Sequence, residues 1–243
     1  MLRYNAPAQE DRMRQADTDF VEFFNDEEAV ARYTDGPPLF MPGYFDLHRM
    51  TGVLLAEKVP ETGRILVLGA GGGLELKALA ELYPGWTFEG VDPAEKMLAL
   101  AARTMGEHAS RAELVEGYID AASDGPFDGA ICLLTLHFIE AEERERTLRE
   151  IRKRLRPGSP FVAAHSSFPQ DGDDRARWLS RYAGFAVNCG VPPEDADNAR
   201  QSVDKAVALL TPEHDEALMT AAGFQDVTLF YVAFTWRGWV AYA

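Results

Sequence analysis

The chain is poor in cysteine, in positive charge and in long apolar runs. Two cysteines, Cys132 and Cys189, stand in 243 residues with no CxxC pair and no His/Cys cluster, so a disulfide framework or a metal site finds no support. Lysine and arginine number 24 against 39 aspartates and glutamates, a formal charge of −15 with a pI near 4.7. Such a surface repels phosphate backbones at long range, which argues against direct nucleic-acid binding and for a small-molecule substrate. No stretch approaches the ~20 apolar residues that cross a bilayer, and the MLRYN start leads into polar sequence rather than an apolar signal region. The expectation is a cytoplasmic protein with no membrane partner.

What is present is ordinary globular material, 47% apolar and 26% charged, enough for one large domain with a helical cap. Residues 1–60 read as that cap, with a break at Asp35-Gly36-Pro37-Pro38 and with Phe20, Phe23 and Phe24 at helical spacing. From Arg64 strands and helices alternate, which predicts a mainly parallel sheet with helices on both faces. Strands are expected over 64–68, 87–91, 112–116, the apolar run 129–139, and 161–164. The helix over 142–155 reads as a solvated, charged face. A polar helical insertion spans about 169–210, and two last strands, 227–234 and 239–242, are expected to turn on Arg237-Gly238.

The densest chemistry lies in Arg64-Ile65-Leu66-Val67-Leu68-Gly69-Ala70-Gly71-Gly72-Gly73-Leu74. This is a buried strand, a glycine-rich turn and a helix start. About 20 residues on, the second strand ends in Asp92, followed by Pro93 at a first helical turn. Glycines at 69, 71 and 73 let the backbone approach a ligand, and Asp92 can accept hydrogen bonds from ribose hydroxyls. The layout suits a nucleoside cofactor.

Together, the loop, the acid, five parallel strands and a C-terminal hairpin resemble the class I S-adenosylmethionine-dependent methyltransferases. That resemblance implies a Rossmann-like α/β fold, a seven-stranded sheet of five parallel strands plus an antiparallel hairpin, with residues 61–243 forming the cofactor-binding domain. Within the class, Met41-Pro42-Gly43-Tyr44, Leu133-Leu134-Thr135-Leu136-His137-Phe138-Ile139-Glu140, Asn198-Ala199-Arg200-Gln201-Ser202 and Ala222-Gly223-Phe224 look like the carboxy-S-adenosylmethionine synthases. Those enzymes convert the cofactor, with prephenate, into a carboxylated sulfonium used in tRNA modification. The likeness implies Tyr44 and Arg200 at the cofactor, and a homodimer.

The chain departs from these patterns at Val67, where an acid is usual, at Tyr118, where an aspartate follows the third strand, and at Leu133, where the synthases have asparagine. Asp120 is the acid nearest to the missing one at 118.

Cofactor contacts are therefore expected at Gly69, Ala70, Gly71, Gly73, Asp92, Pro93, Tyr118, Ile119, Leu133 and Tyr44. Arg200 could grip a carboxylate through its planar fork or simply pair with a neighbouring acid, and Tyr33 could close over the site. His137 and Tyr44 are the candidates for catalytic work, His137 as a base at the carboxyl end of the fourth strand. His165 raises the same question, whereas His48, His108 and His214 read as surface residues. Methyl transfer to a small acceptor, carboxy-S-adenosylmethionine synthesis and a non-catalytic cofactor-binding role all stay open.

Overall fold

The computed structural model describes residues 22, 24–27, 30 and 33–243. Most of the expected cap before residue 33, with Phe20 and Phe23, lies outside the described residues. Within them come a short turn (Tyr33–Asp35), α1 (Gly36–Phe40) and α2 (Tyr44–Ala56), whose entry is set by Gly43 at φ 70.

The sheet contains β1 (Arg64–Leu68), β2 (Thr87–Asp92), β3 (Ala112–Glu116), β4 (Gly129–Leu133), β5 (Pro160–Ser166), β6 (Gln225–Ala233) and β7 (Trp236–Tyr242) in the order β3-β2-β1-β4-β5-β7-β6. The first five pair in parallel, and β7 runs antiparallel to both β5 and β6. β1, β4 and β5 are buried along almost their whole length, which is why they read as unbroken apolar runs: helices cover both faces of a parallel sheet. The connecting helices are α3 (Leu74–Leu82), α4 (Glu95–Met105) and α5 (Ala141–Arg154), then α6 (Gly172–Asn188), α7 (Pro193–Ala206) and α8 (Pro212–Ala221) between β5 and β6. Two apolar clusters fill the two sides of the sheet, one around Leu47, Ile65, Val67 and Leu79, the other around Leu66, Leu148, Ile151 and Trp239.

Four expectations need correction. The run 129–139 is not one strand: it ends at Leu133, because Leu134 adopts φ 56, and resumes as a 3-10 turn over Leu136–Phe138. Gly238 is no turn residue but lies inside β7, between Ala164 and Tyr231, where a side chain would press on the ring of Phe230. The chain reverses instead at Phe234-Thr235, with Phe234 at φ 52, a left-handed conformation suited to a two-residue hairpin loop. His48 is buried on α2, edge-on to the Tyr44 ring at 4.6 Å, and burial lowers its pKa to about 4. The charged helix α5 is not solvated throughout, since Arg144 lies on the same stripe as Leu148 and Ile151 and is fully buried.

Candidate active site

Strand order reverses between β1 and β4, so a crevice opens above their carboxyl ends, where ligands of open α/β sheets bind. Residues 69–73 leave β1 on one side of it and residues 134–138 leave β4 on the other. The two segments touch: a side chain on Gly69 would stand 2.0 Å from Thr135 Oγ1. Gly69, at φ 74, thus meets both the conformational and the steric demand for glycine.

The glycine loop is braced from below. The N–H groups of Gly69 and Ala70 donate to the Val91 carbonyl at 2.8 and 3.1 Å. Asp92 accepts from the Gly71 N–H through one oxygen and from the Ala94 N–H through the other, each at 2.9 Å. Burial raises the Asp92 pKa, and those two N–H groups oppose the rise. Each oxygen keeps a further lone pair for a ribose hydroxyl. The two lone pairs left open on Asp92 match the paired hydroxyls of a ribose, as an adenosyl cofactor carries. Pro93 follows on the rim, half-buried.

Above the loop lies Tyr33, whose ring packs where a side chain on Gly71 or Gly72 would go. Tyr44, buried at the start of α2, and Glu75, 8% exposed in the first turn of α3, complete this side. The two phenols have raised pKa values, through burial first and then through the charge of Glu75. Burial lifts Glu75 itself to about 8; a bond from its own backbone N–H opposes the rise and Asp92 adds to it. Glu75 went unnoticed in the sequence, although its spacing from Leu79 places it on the buried face of α3.

On the β4 side a cavity of about 190 Å³ is walled by aromatic and aliphatic groups, among them Tyr33, Phe40, Leu134, Tyr182 and Trp236, with His137 and Ser166 as its polar edge. Phe40 stacks on Tyr182 at 5.2 Å. No lysine or arginine lines it among the described residues. The larger cavity, about 670 Å³, opens at the amino ends of β1 and β2 around Tyr83 and Trp86, far from the glycine loop.

His137 is buried, and burial first, then His165 and Arg144, lower its pKa well below the ordinary 6.5. Its Nδ1 accepts a long 3.4 Å bond from the Ser166 N–H. A backbone N–H can only donate, so the neutral ring carries its proton on Nε2. That state suits hydrogen-bond donation better than the proton removal expected from sequence.

Behind it lies a fully buried ion cluster. Arg144 donates to Asp215 at 2.5 Å and to the carbonyls of Ile139 and Ala208, while the Ala208 N–H donates to the His137 carbonyl. The other Asp215 oxygen is 3.1 Å from His165 Nε2. Burial alone would raise the Asp215 pKa, but His165 and Arg144 outweigh it and hold the group at about 2.

The other expected residues scatter. Ile119 and Leu133 are buried, and Tyr118, half-exposed, begins the turn after Gly117. Asp120 is exposed and held by Arg146. Arg200 is paired with Asp197 on its own helix at 2.8 Å and does not line the cavity. Among the described residues no group of three His, Cys, Asp or Glu side chains could hold a metal, and no helix is long and apolar enough to cross a membrane.

Residues 65–158 match the methyltransferase domain family, the segment that carries the glycine loop, Asp92 and His137. That segment is thus a methyltransferase domain, of the class I S-adenosylmethionine-dependent kind. Over its wider length the chain is similar to the carboxy-S-adenosyl-L-methionine synthase of Chromohalobacter salexigens, 25% identical over 226 residues that cover 91% of this chain and 84% of that one. The enzyme of the same name from Campylobacter hominis is 23% identical, with 91% and 93% covered.

Among solved structures, the magnesium protoporphyrin IX methyltransferase of Synechocystis, with bound SAH, superposes with a TM-score of 0.67 at 15% identity, covering 93% of this chain and 99% of that one. PigF with SAH gives 0.66 at 18%, and a putative O-methyltransferase from Nostoc punctiforme 0.65 at 20%. They cover 91% and 88% of this chain, which spans 61% and 59% of their lengths. At these identities the structural likeness concerns the fold.

Proposed function

We propose that the protein transfers a methyl group from S-adenosylmethionine to a small, largely apolar acceptor. The reading rests on one juxtaposition: the glycine loop braced by Asp92 and the aromatic cavity edged by His137 face each other across the β1/β4 crevice. A sulfonium donor is already activated, so the protein's task is to align donor and acceptor and to exclude water. Gly69, Ala70, Gly71 and Gly73 form the cradle, with Pro93, Tyr118, Ile119 and Leu133 as the expected wall of the adenosyl pocket. Asp92 takes the ribose. Tyr33 closes over the loop from above, and His137, protonated at Nε2, orients a polar atom of the acceptor.

A second reading, carboxy-S-adenosylmethionine synthesis, is favoured by the similarity to those synthases over nine-tenths of the chain. It needs a cation for the added carboxylate. Arg200 would have to leave Asp197 to provide it, and the cavity offers no other among the described residues.

Mass spectrometry of the small molecule that co-purifies with the protein tests both. S-adenosylmethionine or its demethylated product supports methyl transfer, and the carboxylated cofactor supports the synthase. Failure to bind any of the three by calorimetry at millimolar concentration overturns both.

A further inference from the structure

We propose that the acceptor is an uncharged, planar compound of a single aromatic ring that turns an oxygen atom toward His137. The inference rests on the methyl-transfer reading above and names the class of molecule that the aromatic cavity takes.

The cavity is enclosed by rings that touch in series. Tyr33 meets Phe24 at 5.9 Å between ring centres, Phe24 meets Phe138 at 6.3 Å, and Phe138 meets the His137 imidazole at 4.2 Å. From His137 the series runs on to Trp236 at 5.8 Å, edge-on, then to Tyr182 at 6.4 Å and to Phe40 at 5.2 Å. Every one of these rings lines the cavity. Such spacings are the ones aromatic quadrupoles favour, so the wall offers a further ring faces and edges to pack on. The wall is also braced: the Trp236 indole N–H donates to the Phe40 carbonyl at 3.0 Å and ties β7 to α1. Rings so held keep about 190 Å³ open between them instead of closing on it. A cavity of about 150 Å³ holds one benzene, so this one takes a single ring with a short substituent.

Charge and hydrogen bonding narrow the class further. Among the described residues no Lys, Arg, Asp or Glu side chain lines the cavity, so neither a carboxylate nor an ammonium finds its counter-charge there. The polar edge is His137 with Ser166. Because the Ser166 N–H donates to Nδ1, the imidazole proton sits on Nε2, and that N–H makes no hydrogen bond among the described residues. It is left to a ligand atom that accepts, as an aryl carbonyl, ether or phenol oxygen does and a cationic nitrogen does not. Tyr33 borders both the cavity and Gly71, so a ring held there lies beside the glycine loop.

A series of soluble one-ring probes tests this. Ligand-observed NMR titrations of the whole chain, saturated with S-adenosylhomocysteine, should show acetophenone binding with a Kd on the order of 1 mM or tighter. Cyclohexyl methyl ketone, which keeps the oxygen but loses the flat ring, should bind about three- to tenfold more weakly. Benzoate should bind at least about tenfold more weakly, its charge going uncompensated, and phenyltrimethylammonium should bind more weakly than acetophenone. His137→Phe keeps a ring in the series but removes the donor, and should weaken acetophenone about three- to tenfold. In the unmodified protein, the Nε2 signal of His137 in nitrogen NMR spectra should move with acetophenone and not with benzene.

Equal binding of the two ketones would reduce the rings to an apolar wall and overturn the proposal. So would benzoate within twofold of acetophenone, phenyltrimethylammonium tighter than it, or acetophenone affinity that His137→Phe leaves unchanged. Should that variant fail to fold, an Nε2 signal indifferent to acetophenone refutes the oxygen contact, and the ligand series needs no variant. No probe binding while S-adenosylhomocysteine is bound also overturns the assignment. Failure of S-adenosylhomocysteine itself to bind would instead sink the cofactor reading beneath it.

Discussion

Asp215→Asn should destabilise the protein by about 2–3 kcal/mol at pH 7, although it lies outside the crevice. Both partners are sealed from water, with Arg144 at 0% and Asp215 at 1% exposure. Two routes give the magnitude. A carboxyl held at about 2 rather than its ordinary 3.8 contributes about 2 kcal/mol of stability above pH 4. Removing one member of a buried pair strands the other, at about 3–5 kcal/mol, and the carbonyls of Ile139 and Ala208 still serve Arg144, which favours the lower end. The folded-state pKa is depressed, so the contribution is complete above the unfolded value and fades as pH falls from about 4 through 2. Urea unfolding of both proteins at pH 7, 5 and 3 measures it: the gap should be the same at 7 and 5 and smaller at 3. A gap below 0.5 kcal/mol at pH 7, or one that persists undiminished at pH 3, would refute the reasoning. Replacing the pair together, Arg144→Met with Asp215→Leu, should cost less than Arg144→Met alone, because no buried charge is then orphaned.

Gly69→Ala should cost about 2–4 kcal/mol and abolish cofactor binding, since the new methyl meets Thr135 and the residue sits at φ 74. Thr135→Gly in the same chain should recover part of the stability but not all, as thermal denaturation would reveal. Asp92→Asn should weaken S-adenosylhomocysteine about ten- to a hundredfold by calorimetry, because one of its two backbone N–H partners loses its acceptor; a change under twofold would contradict the bracing role. His137 should stay neutral throughout pH 6–8, its ring signals in NMR showing no titration there. As its folded-state pKa is depressed, the unfolded chain takes up a proton below pH 6.5 that the native ring refuses, so stability should fall with pH in that range and less so in His137→Gln.

How much of this could be read in advance depends on how far apart the partners lie in sequence. The glycine loop and Asp92 are legible because strand, turn, helix and acid follow one another within 30 residues, and the alternation of elements after Arg64 shows the parallel sheet in the same way. Leu134 was hidden, because hydropathy reports that a run is apolar, not that its backbone turns left-handed at one position. Glu75 and Arg144 were legible in principle, each lying on the apolar stripe of its helix, but a charge in a polar helix is more readily taken for solvent-facing. Asp215 was beyond reach: its partner stands 71 residues away, and nothing local distinguishes it from the acids around it. The cavity was illegible for the same reason, being assembled from the first turn, α1, the end of β4, α6 and β7.

The fit of Thr135 into the space above Gly69 has a consequence for how two ligands bound on either side of it would affect each other. The glycine loop and the turn after β4 meet at that contact, so a shift of one presses on the other. An acceptor that moves residues 134–138 changes the free energy of cofactor binding, and the cofactor changes the acceptor's by an equal amount. Affinity measured for either ligand alone is then a property of half a machine, and the coupling between the two is the quantity that describes the whole.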